Sequence, residues 1–189
     1  MLYLLRHGQT DWNIGKKIQG QYDVPLNALG QWEATSAADS LKLYNIDKII
    51  SSDLSRAADT AKIVGNALNI DVTYDARLRE YDFGKLTGKA MDTITPTAAR
   101  DLITNAAALG AEPVDVAFRR VAGFIQDIDW NRNTLVVTHG MILRYFMGFF
   151  EFGGQFDVQK YVQKYANRHI GNATIFRIKC LESKLERLR

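Results

Sequence analysis

Leu2-Tyr3-Leu4-Leu5-Arg6-His7-Gly8-Gln9-Thr10 is the stretch on which the reading of this chain turns: a short apolar run that ends in arginine, histidine and glycine. The run is too short for a helix of its own and is predicted to be a fully buried strand, which puts Arg6 and His7 at its carboxyl end. Ligands of open α/β sheets bind at that edge. Far downstream, Thr134-Leu135-Val136-Val137-Thr138 runs in the same way into His139-Gly140. If both strands are parallel and central in one sheet, the two imidazoles face each other across one crevice. A single histidine at a strand end is more often a packing residue than a catalyst. Here two of the chain's three histidines follow matching strands.

The length of 189 residues suits one domain, 1–189, whose core needs neither disulfides nor metals. A formal net charge of +3, without any stripe of mixed aromatic and basic residues, argues against nucleic acid as a partner. The basic residues of the tail, Lys179, Lys184, Arg187 and Arg189, read as a solvated edge. Cys180 is the only cysteine, which excludes an internal disulfide and a cysteine-rich zinc site and fits a reducing compartment. No apolar run approaches transmembrane length, and the amino terminus enters a strand without the zones of a signal peptide. The expected location is therefore cytoplasmic, with no membrane partner.

Working outward from His7, Gln9 to Pro25 is predicted to be a long loop over the crevice. Its Gly15 and Gly20 have the spacing of a nucleotide-binding P-loop, but Gln21 and Tyr22 stand where Lys and Ser or Thr are required. Asn27 is predicted to cap a helix running to about Leu43, with Leu29, Trp32, Ala37 and Leu41 toward the core. Lys48-Ile49-Ile50 reads as a second strand. Ser51 to Ala61 then gives a strand end, a polar turn and a helix start, where amino-terminal N–H groups favour anions and Arg56 adds charge. Taken alone, Arg56 reads as a solvated residue beside a helix capped by Asp53 or Ser55.

That helix should reach about Leu68, followed by a strand at 71–74, in the alternating rhythm of a parallel sheet. Asp75 to Gly88 is polar and loop-like and contains Leu78-Arg79-Glu80-Tyr81-Asp82-Phe83-Gly84. Met91 to Leu109 is predicted to be mainly helical around Pro96. Val114, Phe118, Val121, Ile125 and Ile128 form the core stripe of a further helix. Helices at Met141 to Phe150 and Asp157 to Ala166 follow, then a strand at Ala173 to Lys179. Leu185 to Leu188 returns beside that strand through a turn near Ser183. The expected fold is an α/β three-layer sandwich, a mostly parallel central sheet flanked by helices, with a small helical cap insertion at about 89–112.

Two histidines and two arginines suit phosphoryl transfer. A neutral imidazole nitrogen can attack phosphorus, and guanidinium groups match phosphate oxygens in bidentate geometry. Arg6, Arg56 and His139 together can neutralise the equatorial oxygens of the transferring group. A leaving alkoxide still needs a proton, for which Glu80 is the candidate donor, with Asp82 as the competing carboxylate.

At these residues the sequence resembles the histidine phosphatase superfamily, which includes cofactor-dependent phosphoglycerate mutases and the fructose-2,6-bisphosphatase and α-ribazole phosphatase branches. Leu5-Arg6-His7-Gly8-Gln9-Thr10 with Trp12-Asn13 is similar to its opening signature. Asp23-Val24-Pro25-Leu26 with Gly30 resembles the continuation. Ser51 to Ala61 around Arg56, then Leu78, Glu80, Phe83 and Gly84, then Val137-Thr138-His139-Gly140, and finally Asn172-Ala173 resemble the later motifs in order.

The resemblance implies a phosphoglycerate mutase-like fold in which His7 is the phosphorylated nucleophile and Glu80 the proton donor. It also implies that Arg6, Arg56 and His139 bind the phosphoryl group, with Asn13 and Gly140 as further phosphate-binding positions. Thr87 stands where relatives often carry Glu, and Ala111-Glu112-Pro113 where they carry Gly-Glu-Ser; both are expected to adjoin the cap rather than the phosphoryl pocket.

Three rival readings remain at this stage. A zinc hydrolase built on His7, His139 and His169 lacks recognisable ligand spacing and would place arginine beside a cation. A module that binds phospholigands without turnover would be expected to have lost the nucleophile or the donor. A mutase shares the pocket, but the resemblance implies a longer insertion than Lys89 to Glu112, whose only cations are Lys89 and Arg100. The expectation is a phosphatase that needs no metal or other cofactor and acts on a small phosphorylated metabolite.

Overall fold

The computed structural model of the protein describes residues 1–155, 157–165, 168–178 and 185–188. In chain order its elements are β1 (Leu2–Arg6), α1 (Asp11–Ile14), α2 (Ala28–Leu41), β2 (Lys48–Ser51), α3 (Ser55–Leu68), β3 (Val72–Tyr74) and α4 (Pro96–Thr104). Then come α5 (Val114–Gln126), β4 (Thr134–Thr138), α6 (Gly140–Glu151), α7 (Val158–Tyr165), β5 (Ile175–Ile178) and β6 (Leu185–Leu188). The strands form one sheet in the order β3-β2-β4-β1-β5-β6. β3, β2, β4 and β1 pair in parallel, and β5 and β6 continue the sheet antiparallel. This is the mostly parallel α/β sandwich that the strand and helix rhythm predicts.

β1 is apolar throughout because both of its faces are covered. Leu2 and Leu4 pack into a layer with residues of α5, α6 and α7, while Tyr3 and Leu5 pack into the opposite layer with α2 and α3. β1 and β4 are neighbours in the middle of the sheet, and Arg6 stands opposite Thr138. His7 and His139 therefore leave the sheet side by side. The α5 stripe of Val114, Phe118, Val121 and Ile125, with Ile128 just beyond it, is buried as its spacing predicts.

The structure corrects the reading of α2. Asn27 caps it, its Oδ1 accepting from Gly30 N at 2.9 Å. Leu29 and Trp32, however, are 47% and 66% exposed, and the buried face is Gly30, Ala34, Ala37, Ala38 and Leu41. Gly30 fixes that face. A Cβ there would lie 2.1 Å from the Gln9 carbonyl oxygen, and one on Gly8 would lie 2.3 Å from the Gly30 oxygen. Backbone contact with the exit of β1 thus turns the helix, and the larger side chains at 29 and 32 fall outside it.

Two local expectations also change. The Gln9 to Pro25 loop contains α1, opened by a capping box in which Thr10 and Asn13 each accept from the other's backbone N–H. Neither Asp53 nor Ser55 caps α3; Ser55 N donates instead to Asp23 Oδ1 at 2.8 Å, and Asp53 pairs with Arg79. Residues 89–112 are α4 between two short 3-10 turns. Backbone bonds join this segment to the loop, from Ile18 N to Lys89 O at 2.9 Å and from Gly88 N to Ile18 O at 2.8 Å. Among the described residues no helix is long and apolar enough to cross a membrane. The expectations placed on Ala166, Lys179, Cys180, Ser183, Lys184 and Arg189, and on the side chain of Arg187, lie outside what is described.

Candidate active site

The His7 and His139 rings lie with centroids 5.2 Å apart at an interplanar angle of 55°. Both are buried. His7 Nδ1 is 2.7 Å from the Gly8 carbonyl oxygen. A carbonyl only accepts, so Nδ1 carries the ring proton and Nε2 keeps its lone pair. Burial pushes the His7 imidazole well below its ordinary pKa, and the Arg6 and Arg56 charges push it further, while the bond to Gly8 acts the other way. The free site thus holds a neutral imidazole, the form that can act as a nucleophile.

His139 Nε2 lies 2.8 Å from Ser52 Oγ, which itself accepts from Leu54 N at 3.3 Å. A Ser52 hydroxyl hydrogen directed at Nε2 would leave the ring proton on Nδ1. That nitrogen is buried and has no hydrogen-bond partner. Burial, then Arg56, His7, Arg6 and Arg120, hold the His139 pKa well below the imidazole range.

Arg56 is fully buried in the first turn of α3, which overturns the solvated reading. Its Nη1 donates to Tyr22 O at 2.9 Å and its Nη2 to Gly20 O at 2.7 Å. Burial lowers its pKa to about 10, against the pull of Glu80 and Asp23; the guanidinium remains charged at neutral pH. Arg6 donates through Nη1 to the Ile170 carbonyl. Burial lowers its pKa too, with Glu80 opposing. The Nε atoms of both arginines are buried without a partner. An unpaired buried donor costs about 1–3 kcal/mol, so Arg6 Nε, Arg56 Nε and His139 Nδ1 form a set that a multiply charged oxyanion would relieve.

Glu80 meets this pocket from the other side. Its carboxylate accepts from Tyr81 N at 2.9 Å and from Met141 N at 3.2 and 3.3 Å, across the amino terminus of α6. A Cβ on Gly140 would sit 3.8 Å from both Arg6 Nε and Glu80 Oε2, so the glycine lies between the two. Asp82 turns away, its Oδ1 accepting from Gly84 N at 2.9 Å. Asn13 Oδ1 accepts from Thr10 N, Thr10 Oγ1 and Asn172 Nδ2 at 3.0, 3.0 and 3.2 Å. These donors settle the amide orientation and leave Nδ2 as the outward atom. Asn172 Nδ2 also reaches the His7 and Gly8 carbonyls, at 3.1 and 3.2 Å, tying Asn13 to the backbone of His7 and Gly8.

Arg6, His7, Asn13, Arg56, Glu80, His139 and Gly140 thus gather at the carboxyl edge of β1 and β4, whereas Asp82 and His169 do not join them. Sequence reasoning gave no role to Ser52, Asn172 or Arg120. Ser52 lay within a quoted motif, and Arg120 follows Arg119 in a doublet with no motif around it. His169 is exposed, and among the described residues no three His, Cys, Asp or Glu side chains are grouped to hold a metal ion. On the rim, Trp12 stacks on Tyr22 with ring centroids 5.1 Å apart.

The comparisons with known proteins agree with this geometry. A probable phosphoglycerate mutase GpmB of Salmonella paratyphi A is 36% identical over 75% of this chain and 70% of its own length. One of Citrobacter koseri is 46% identical over 50% of this chain, a match that spans only 44% of that relative's length. A mycobacterial glucosyl-3-phosphoglycerate phosphatase solved with VO3 superposes with a TM-score of 0.79 at 30% identity, covering 98% of this chain and 96% of that one. The model of the histidine phosphatase superfamily, branch 1, matches residues 2–185. A strand-end histidine pair of this kind, carried by a match over nearly the whole chain, places the protein in that family: the chain belongs to branch 1 of the histidine phosphatase superfamily.

Proposed function

We propose that the protein is a phosphatase that hydrolyses a small phosphorylated metabolite through a phosphohistidine on His7. The observation that carries the reading is a neutral His7, with Nδ1 bonded to Gly8 O, among buried and unpaired donors of Arg6, Arg56 and His139. Nε2 attacks phosphorus as the ester P–O bond breaks, and the departing alkoxide takes a proton from Glu80. Water then attacks the phosphohistidine and returns a proton to Glu80, and orthophosphate leaves with His7 restored. Arg6, Arg56, His139 and Asn13 Nδ2 hold the equatorial oxygens throughout, and no metal ion takes part. Gly140 keeps the space between Arg6 and Glu80 open to the phosphoryl group.

The same reading treats residues 1–189 as a single domain with residues 89–112 as a cap, and the protein as cytoplasmic. A mutase is the second reading, favoured by the printed names of the GpmB relatives. The likeness to a phosphatase over almost the full length, and the short segment between Lys89 and Glu112, favour hydrolysis. Orthophosphate release and mutase products measured in parallel on phosphorylated metabolites distinguish the two.

Glu80→Gln tests the donor. Alkyl phosphates leave as strongly basic alkoxides, whereas 4-nitrophenyl phosphate needs little protonation. The alkyl substrate should therefore lose about a hundred- to ten-thousandfold in rate, and the aryl substrate far less. Equal losses on both, with a selective alkyl loss in Asp82→Asn, would move the donor to Asp82. An acid-labile phosphate trapped on the peptide containing Arg6 and His7 checks the intermediate, and its absence during turnover would remove His7 from its role.

A further inference from the structure

Arg120 sits on α5 beside Arg119, yet the two differ completely. Arg119 pairs with Asp115 on the exposed face of the helix. The Arg120 side chain is turned inward at 17% exposure, against a Glu112 side chain at 12%. Its guanidinium is saturated. Nε and Nη2 donate to the two Glu112 carboxylate oxygens at 2.7 and 2.9 Å. Nη1 donates to the carbonyls of Arg77 and Arg79 at 2.6 and 2.8 Å, and Nη2 to that of Glu80 at 3.1 Å. Glu112 extends the grip past Glu80, because its backbone N donates to Asp82 O at 2.9 Å. From the opposite side, Gln21 Nε2 donates to the same Glu80 carbonyl at 3.2 Å.

We propose that the Glu112–Arg120 pair is a positioning device for the Glu80 carboxylate, setting its place over the phosphoryl pocket by fixing the peptide from Arg77 to Asp82. The inference rests on the reading of Glu80 as proton donor. Among the described residues the Glu80 carboxylate accepts hydrogen bonds from two backbone N–H groups, of Tyr81 and Met141. Its location therefore follows its own main chain, on which the Arg120 guanidinium makes three of the bonds, beside those from Glu112 N, Gln21 Nε2 and Thr138 Oγ1. Misplacing a reacting group by about 1 Å can cost about a hundredfold in rate. Lysine offers a point charge in place of the planar fork and cannot reproduce five directed bonds. The loss should fall mainly on proton donation, since Arg120 acts on His139 through its charge, which lysine keeps.

The test uses Arg120→Lys and, as a milder perturbation should that variant fold poorly, Glu112→Gln, which keeps the shape but weakens the pair. Rates are measured with an alkyl phosphate and with 4-nitrophenyl phosphate, in the wild-type and Glu80→Gln backgrounds. Either variant should lower the alkyl rate about ten- to a hundredfold and the aryl rate less than about threefold. In the Glu80→Gln background the alkyl effect should vanish, because the group being positioned no longer carries the proton. Equal losses on the two substrates, or a full alkyl loss that persists in the Glu80→Gln background, would reduce the pair to a structural staple. If Glu80→Gln alone proves unselective, the donor reading fails and the positioning role falls with it. If Glu80→Gln is selective and the Arg120 and Glu112 variants are not, only the positioning role is overturned.

Discussion

Lowering the pH from about 7.5 to about 5.5 should destabilise the anion-free protein through its two buried imidazoles, by an amount that the site geometry bounds. His7 and His139 are both held well below the ordinary imidazole pKa of 6.5, chiefly by burial and then by the surrounding positive charge. In the unfolded chain each ring takes up a proton as the pH falls through about 6.5, while the folded protein keeps both neutral. The unfolded state then binds more protons, so the stability contributed is full above about pH 6.5 and is lost as the pH falls below it. Each imidazole contributes at most about a factor of ten in the folding equilibrium per pH unit, so the pair is worth at most about 3 kcal/mol over this interval. For a chain of this size each kcal/mol moves Tm by about 2–4 °C, so the melting point should drop by up to about 10 °C. Thermal melts in phosphate-free buffer measure it. His7→Gln should remove about half of the dependence. A Tm that stays flat across the interval, or a slope unchanged in the His7→Gln, His139→Gln double variant, would refute the neutral pair.

Gly30→Ala forces a Cβ to within 2.1 Å of the Gln9 carbonyl oxygen; it should cost about 1–3 kcal/mol in thermal melts and lower aryl phosphatase turnover by displacing the peptide after His7. Leu29→Ala, at the neighbouring exposed position, should stay within about 0.5 kcal/mol and retain activity. Ser52→Ala frees His139 to adopt the other tautomer, which should weaken inhibition by orthophosphate or vanadate about tenfold while leaving Tm within a few degrees. Unchanged inhibition would show that Ser52 does not set the ring.

The two strand ends were legible in the sequence because their signals are local. An apolar run covered on both faces, closed by a polar turn, needs no distant partner to be recognised, and β1 and β4 fell into place with their histidines. Leu29 and Trp32 were misplaced because a glycine contact with Gln9, some twenty residues earlier, sets the face of α2. Hydrophobic spacing carries no record of backbone approach. Arg56 read as solvated because its partners are the carbonyl oxygens of Gly20 and Tyr22, which have no side-chain signature. Arg120 stayed hidden for the same reason, since three of its acceptors are main-chain oxygens on a distant loop.

The proposed grip on a phosphoryl group is thus anchored largely in the main chain. Gly20 and Tyr22 hold Arg56, Ile170 holds Arg6, and Gly8 fixes the proton of His7, each through a main-chain carbonyl. Recognition and chemistry are thereby written in separate parts of the same loop. Side chains on the rim, such as Trp12 and Tyr22, can be exchanged as leaving groups change without loosening the anion. A single inserted or deleted residue between Gln19 and Asp23 would displace both carbonyls that hold Arg56. Such a scaffold can diversify readily by substitution while tolerating almost no change of length in that segment.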